Sequence, residues 1–111
     1  MQATKDCISL ETAKLLKDCR IENKYYFVEC KITKEVMIYR GCEKWKNNWY
    51  YPSLYPAYSW QEILWEHVEE FFGKQSEENF SACAYVLCLL QQKKYQEADK
   101  YFREHCILIS K

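Results

Sequence analysis

The sequence is short of glycine and proline, with two of each in 111 residues. That scarcity excludes a collagen-like chain or a flexible linker. The only glycines are Gly41 and Gly73, so the usual glycine-rich phosphate cradles are excluded. Net charge is lacking as well: 16 Lys and Arg face 16 Asp and Glu. Overall charge therefore points to no polyanionic or polycationic partner. No window of ~20 apolar residues exists, so no membrane span is predicted. No apolar run follows the charged start Met1–Asp6, and a secretory leader is not expected.

What is present reads as one globular domain over residues 1–111, with 49% hydrophobic and 29% charged residues. Seven cysteines occur, an odd number, and no pair shows Cys-x-x-Cys spacing. An exported disulfide framework normally has an even count. The expectation is reduced thiols in the cytoplasm, acting as small hydrophobes. Cys83, Cys88 and His105 sketch a metal site, but five residues on a helix turn the thiols ~140° apart. No metal site and no cofactor are expected.

Local patterns predict the elements. Ser9 caps a helix over Leu10 to Cys19, with Ile8 and Ala13 as a hydrophobic staple. Tyr25 to Ile32 alternates as a strand, with Tyr26, Val28, Cys30 and Ile32 on one face. Val36 to Arg40 repeats the pattern after a polar break, predicting a hairpin. Pro52 and Pro56 predict a loop around a short third strand at Trp49 to Tyr51. Ser59 and Glu62 form a capping box for a helix with the stripe Trp60, Ile63, Leu64, Val68, Phe71 and Phe72, stopped by Gly73. Ser76 caps a helix to about Gln92, with Phe80, Cys83, Ala84, Leu87 and Leu90 along one side. A last helix runs from Tyr95 to His105. The order predicts an α+β fold: a β-hairpin or three-stranded antiparallel sheet packed against about four α-helices.

Aromatics make up 17% of the chain, and seven of them fall between Trp45 and Trp60. Three readings fit that concentration. Large rings anchor an irregular loop on the body. Trp and Tyr also serve as anchors in protein interfaces, which makes Trp45, Trp49, Tyr51 and Tyr55 candidate contact residues. Flat rings stack on nucleobases too. Lys31, Lys34, Arg40, Lys44 and Lys46 beside them would then contact phosphates. A run of carboxylates, including Glu62, Glu66, Glu69, Glu70, Glu77 and Glu78, reads as a solvated helix face. No serine or cysteine sits in the local context of an activated nucleophile, and no enzymatic activity is expected.

The segment Ile8-Ser9-Leu10-Glu11-Thr12-Ala13-Lys14-Leu15-Leu16-Lys17 resembles the start of small proteins of Bacteroidetes phages and prophages. Tyr50, Tyr51, Pro52 and the run Pro56-Ala57-Tyr58-Ser59-Trp60 extend the likeness over about half the chain. The resemblance implies a mobile-element origin and no particular activity. Lys94 to Phe102 resembles the turn and second helix of a tetratricopeptide unit, with room for one unit only. The functional expectation is a non-enzymatic interaction or accessory protein that docks its aromatic segment on a protein partner or a second copy. The alternative is a small nucleic-acid-binding module using the basic, aromatic hairpin.

Overall fold

The computed structural model describes residues 1–41 and 53–109. Ser9 is the N-cap of α1, Leu10–Leu15: its hydroxyl accepts the Thr12 amide. α1 stops four residues short of the expected Cys19. Bonding switches there to tighter turns, Leu16 N–H to the Ala13 carbonyl and Cys19 N–H to the Leu16 carbonyl. The tightening swings Leu16 into the core.

The sheet has three antiparallel strands in the order β2-β1-β3, where β1 is Tyr25–Glu29, β2 is Val36–Arg40 and β3 is Ser53–Pro56. The β1–β2 hairpin closes through Cys30 N–H to the Glu35 carbonyl. Its loop places Lys34 at φ 64, the left-handed region. The proposed strand at Trp49–Tyr51 lies outside the described residues. The strand beside β1 is instead Ser53–Pro56, where the prolines predicted loop. Pro56 fits because its ring nitrogen, which has no hydrogen to donate, points away from β1. The register shows this: Ala57 N–H donates to the Tyr25 carbonyl, so bonded positions of β3 are odd-numbered.

The buried face of β1 is not the one its alternation suggested. Phe27, fully buried in the main core, shares a face with Tyr25 and Glu29. The expected set contributes Val28, which is buried, and half-buried Tyr26 on the other face. Both faces of this strand carry apolar side chains, so alternation did not select one.

The helix after Ser59 is a composite. The capping box forms in both directions: the Ser59 hydroxyl accepts the Glu62 amide, and the Glu62 carboxylate accepts the Ser59 amide. Glu62–Glu66 is then a π-turn, closed by His67 N–H to the Glu62 carbonyl, and α2 follows at Val68–Phe72. The sequence explains the interruption. Trp60, Leu64, Val68 and Phe72 are spaced by four, and each such step overshoots an α-helical turn by ~40°. A regular helix would carry Phe72 ~120° away from Trp60. The π-turn absorbs the excess residue, and Trp60, Ile63, Leu64, Phe71 and Phe72 all reach the core. Gly73 stops α2 at φ 91, as expected of a glycine stop.

Ser76 caps α3, Glu77–Gln91, by accepting the Asn79 amide. Its buried line is Ala82, Val86 and Leu89, rotated about one residue from the expected side. Phe80 is 66% exposed and Ala84 faces out as well. α3 is apolar almost all round, and its line Ala82, Val86 and Leu89 joins the same buried core as Ala98 and Phe102 of α4, Tyr95–His105. The α3–α4 turn is a Schellman motif, with Lys94 N–H on the Leu89 carbonyl and Lys93 N–H on the Leu90 carbonyl. Lys93 occupies the left-handed position at φ 60, where glycine is the usual residue. Lys93→Gly is therefore expected to raise the unfolding free energy by about 0.5–1 kcal/mol. Urea denaturation of the two proteins checks this.

A polar clamp joins the chain's two ends. Asp99, 4% exposed on α4, accepts the Ser9 amide at 2.9 Å and the Ser9 hydroxyl at 2.8 Å. It also accepts the Thr12 hydroxyl at 3.0 Å. Arg103 lies 3.6 Å from Asp99 and 3.3 Å from Glu11. The α1 cap is thus held across 90 residues of sequence. Among the described residues, no helix is long and apolar enough to cross a membrane.

Candidate functional site

A groove of about 840 Å³ opens between the sheet, the π-turn and α3. Local bonding builds its floor. Residues 4–8 run beside 57–60, with Cys7 bridging to Ser59 and Ile8 N–H donating to the Tyr58 carbonyl. The Trp60 indole N–H donates to the Thr4 carbonyl at 3.0 Å, which fixes the ring in the groove lining. Cys7, Ala57, Trp60 and Leu64 form the buried base. Leu87 and Leu90 of α3 line one wall.

The rim is apolar and open. Trp65 is 56% exposed, Tyr25 40% and Ile38 38%. The π-turn sets Trp65 at this rim, and Lys24 ties the turn to β1 through Glu66 at 3.4 Å. That pair is solvent-exposed and adds orientation rather than much stability. Lys5 and Asp6 supply the charge at the rim.

The chemistry of the base is quiet. Burial pushes the Cys7 thiol above its ordinary value, against a weaker opposing bond from Thr4. A thiol held protonated is a poor nucleophile. Burial raises Cys106 to about 11 and raises Cys83 as well. Cys30 moves the other way: the Thr33 hydroxyl, and the Thr33 and Ile32 amides, hold it below the usual thiol value.

The sequence-predicted residues scatter. Trp45, Trp49, Tyr51, Lys44 and Lys46 lie outside the described residues. Tyr55 is half-buried in β3, packed on the core, with the Lys14 ammonium 5.6 Å above its ring. Lys31 and Lys34 sit in the hairpin loop and Arg40 at the far end of β2. The strand, about 13–17 Å long, separates them. The carboxylates disperse too. Glu62 is buried at 2% exposure in its capping box, and Glu66 is paired with Lys24. Cys83 and Cys88 diverge as expected, one half-buried and one exposed. Among the described residues, no group of three or more potential metal ligands converges.

The groove itself was not visible in the sequence. Its lining comes from five separate stretches, and the sequence pattern assigns Trp65 no role. Comparison with protein-family models, curated proteins and solved structures gives no match.

Proposed function

We propose that this protein is a non-enzymatic interaction module that takes an apolar segment of a protein partner along the groove beside β2. The observation that carries the reading is the groove's rim: half-exposed Trp65, Tyr25 and Ile38 around a rigid apolar floor. Clustered apolar exposure of this kind is the usual mark of a protein contact, and tryptophan and tyrosine are the favoured anchors. The protonated Cys7 thiol in the floor is suited to packing rather than to chemistry. The aromatic segment Trp45–Tyr55 belongs to the same reading as a second set of anchors.

Selection of short random peptides displayed against the full chain tests it. The expected result is enrichment of extended peptides with alternating apolar residues, and loss of their binding in Trp65→Ala by tenfold or more, about 1.4 kcal/mol or above. Trp65 is exposed, so the variant is expected to unfold at the same denaturant concentration as the parent. Peptides that bind Trp65→Ala as well as the parent would overturn the reading.

A further inference from the structure

The two outer edges of the sheet are not alike. On β3 the outward-pointing positions are even-numbered and include Pro56, which has no N–H to offer a further strand. On β2 the Cys30–Glu35 and Lys24–Gly41 bonds put the odd positions toward β1. Val36, Ile38 and Arg40 therefore point their amides and carbonyls outward. From Val36 to Tyr39 this edge carries neither proline nor charge. No described strand pairs with it. Met37 is 54% exposed, and Ile38 opens onto the groove rim.

We infer that β2 pairs antiparallel with β2 of a second copy about a two-fold axis at Ile38, joining the two sheets into one of six strands. This rests on the interaction reading of the groove face and names its partner. A two-fold axis perpendicular to the sheet keeps the faces in register only when even positions meet even positions. Of the registers that do so, the one centred on Ile38 overlaps the whole strand. It pairs Ile38 with its own copy and Val36 with Arg40, so all three outward positions bond.

The side chains agree with that register. On the groove face, Tyr55, Phe27 and Ile38 form one cross-strand row, which the copy continues in reverse order. On the other face, Met37 falls opposite Tyr39 of the copy, a sulfur–aromatic contact made twice. Arg40 of the copy lies beyond Val36, and Glu29 is the next residue across in the register. Two strand spacings, about 10 Å, separate their backbones, a span that an arginine and a glutamate cover together. Glu29 already holds Lys14 at 3.5 Å on the β3 side, where Lys14 lies over the Tyr55 ring, so Arg40 of the copy reaches the carboxylate from the opposite side.

Sedimentation velocity across a concentration series is the test, with Ile38→Pro as the probe. The Ile38 N–H makes no bond to β1, so proline removes only the outward donor. The parent is expected to reach twice the mass of the 13.5 kDa chain. Symmetry makes the substitution cost two hydrogen bonds, raising the dissociation constant about 30-fold, with an unchanged far-UV spectrum. Should Ile38→Pro unfold, Ile38→Lys on the same exposed edge decides, because it keeps the backbone and sets two cations face to face. A parent that sediments as a single chain at every concentration overturns the inference, as does a dimer untouched by both variants. If the chain is monomeric yet still binds peptides through Trp65, the dimer falls and the interaction reading stands. If neither is seen, both fall.

Discussion

Asp99→Ala is expected to lower the unfolding free energy by about 3–5 kcal/mol, the usual cost of removing one partner from a buried charged network. The carboxylate accepts three hydrogen bonds, two from Ser9 and one from Thr12. Its removal strands a buried backbone amide and, among the described residues, leaves Arg103 with the exposed Glu11 as ionic partner. The loss also frees the α1 cap, and α1, at six residues, is too short to persist alone. Asp99→Asn is expected to cost less, about 1–2 kcal/mol. Its carbonyl still serves the Ser9 amide, and the two hydroxyls can turn to accept from the new NH2. Chemical denaturation of the three proteins checks the order. Equal stability of Asp99→Ala and the parent would mean that the clamp contributes nothing to folding.

Phe102→Ala is the second large effect, also about 3–5 kcal/mol. Phe102 is fully buried on α4 and meets three rings edge-on. Phe71 and Phe72 lie at 5.7 Å and Trp60 at 6.1 Å between centroids. These contacts join α4 to both halves of the interrupted helix, so a cavity here loosens the π-turn and the groove floor together. Phe102→Leu keeps most of the volume and is expected to cost less than half as much. A thermal melt followed through tryptophan fluorescence reports both the stability and the packing around Trp60. A melting point for Phe102→Ala within a degree or so of the parent would contradict the ring cluster's role, since 1 kcal/mol moves Tm by about 4–8 °C in a domain near this size.

Much of the fold was legible because its signals are local. Ser9, Ser59 and Ser76 each cap the helix they were expected to start, and α4 runs from Tyr95 to His105 as predicted. The β1–β2 hairpin forms as the alternation predicts, but β1 ends at Glu29 rather than Ile32, which is 72% exposed in the turn, and the α+β class follows from the element order. The misjudged parts depend on tertiary packing. β1 and α3 are apolar on more than one side, so periodicity had no means of choosing the side facing the core. The π-turn was implicit in the four-residue spacing from Trp60 to Phe72. Pro56 by itself predicts a loop, because its place on an outer strand is invisible before the pairing is known. The Asp99 clamp and the groove join segments far apart in sequence, and no local pattern announces either.

Backbone amide exchange along β2 tests the account most directly. Met37 and Tyr39 bond inward to β1 and are expected to exchange slowly at every protein concentration. Val36, Ile38 and Arg40 point outward and are expected to exchange rapidly in dilute solution, then to slow as the concentration rises or a bound peptide fills the edge. Rapid exchange at Ile38 in concentrated protein and with peptide present would contradict the account, since the edge that no described strand pairs with would then have no occupant.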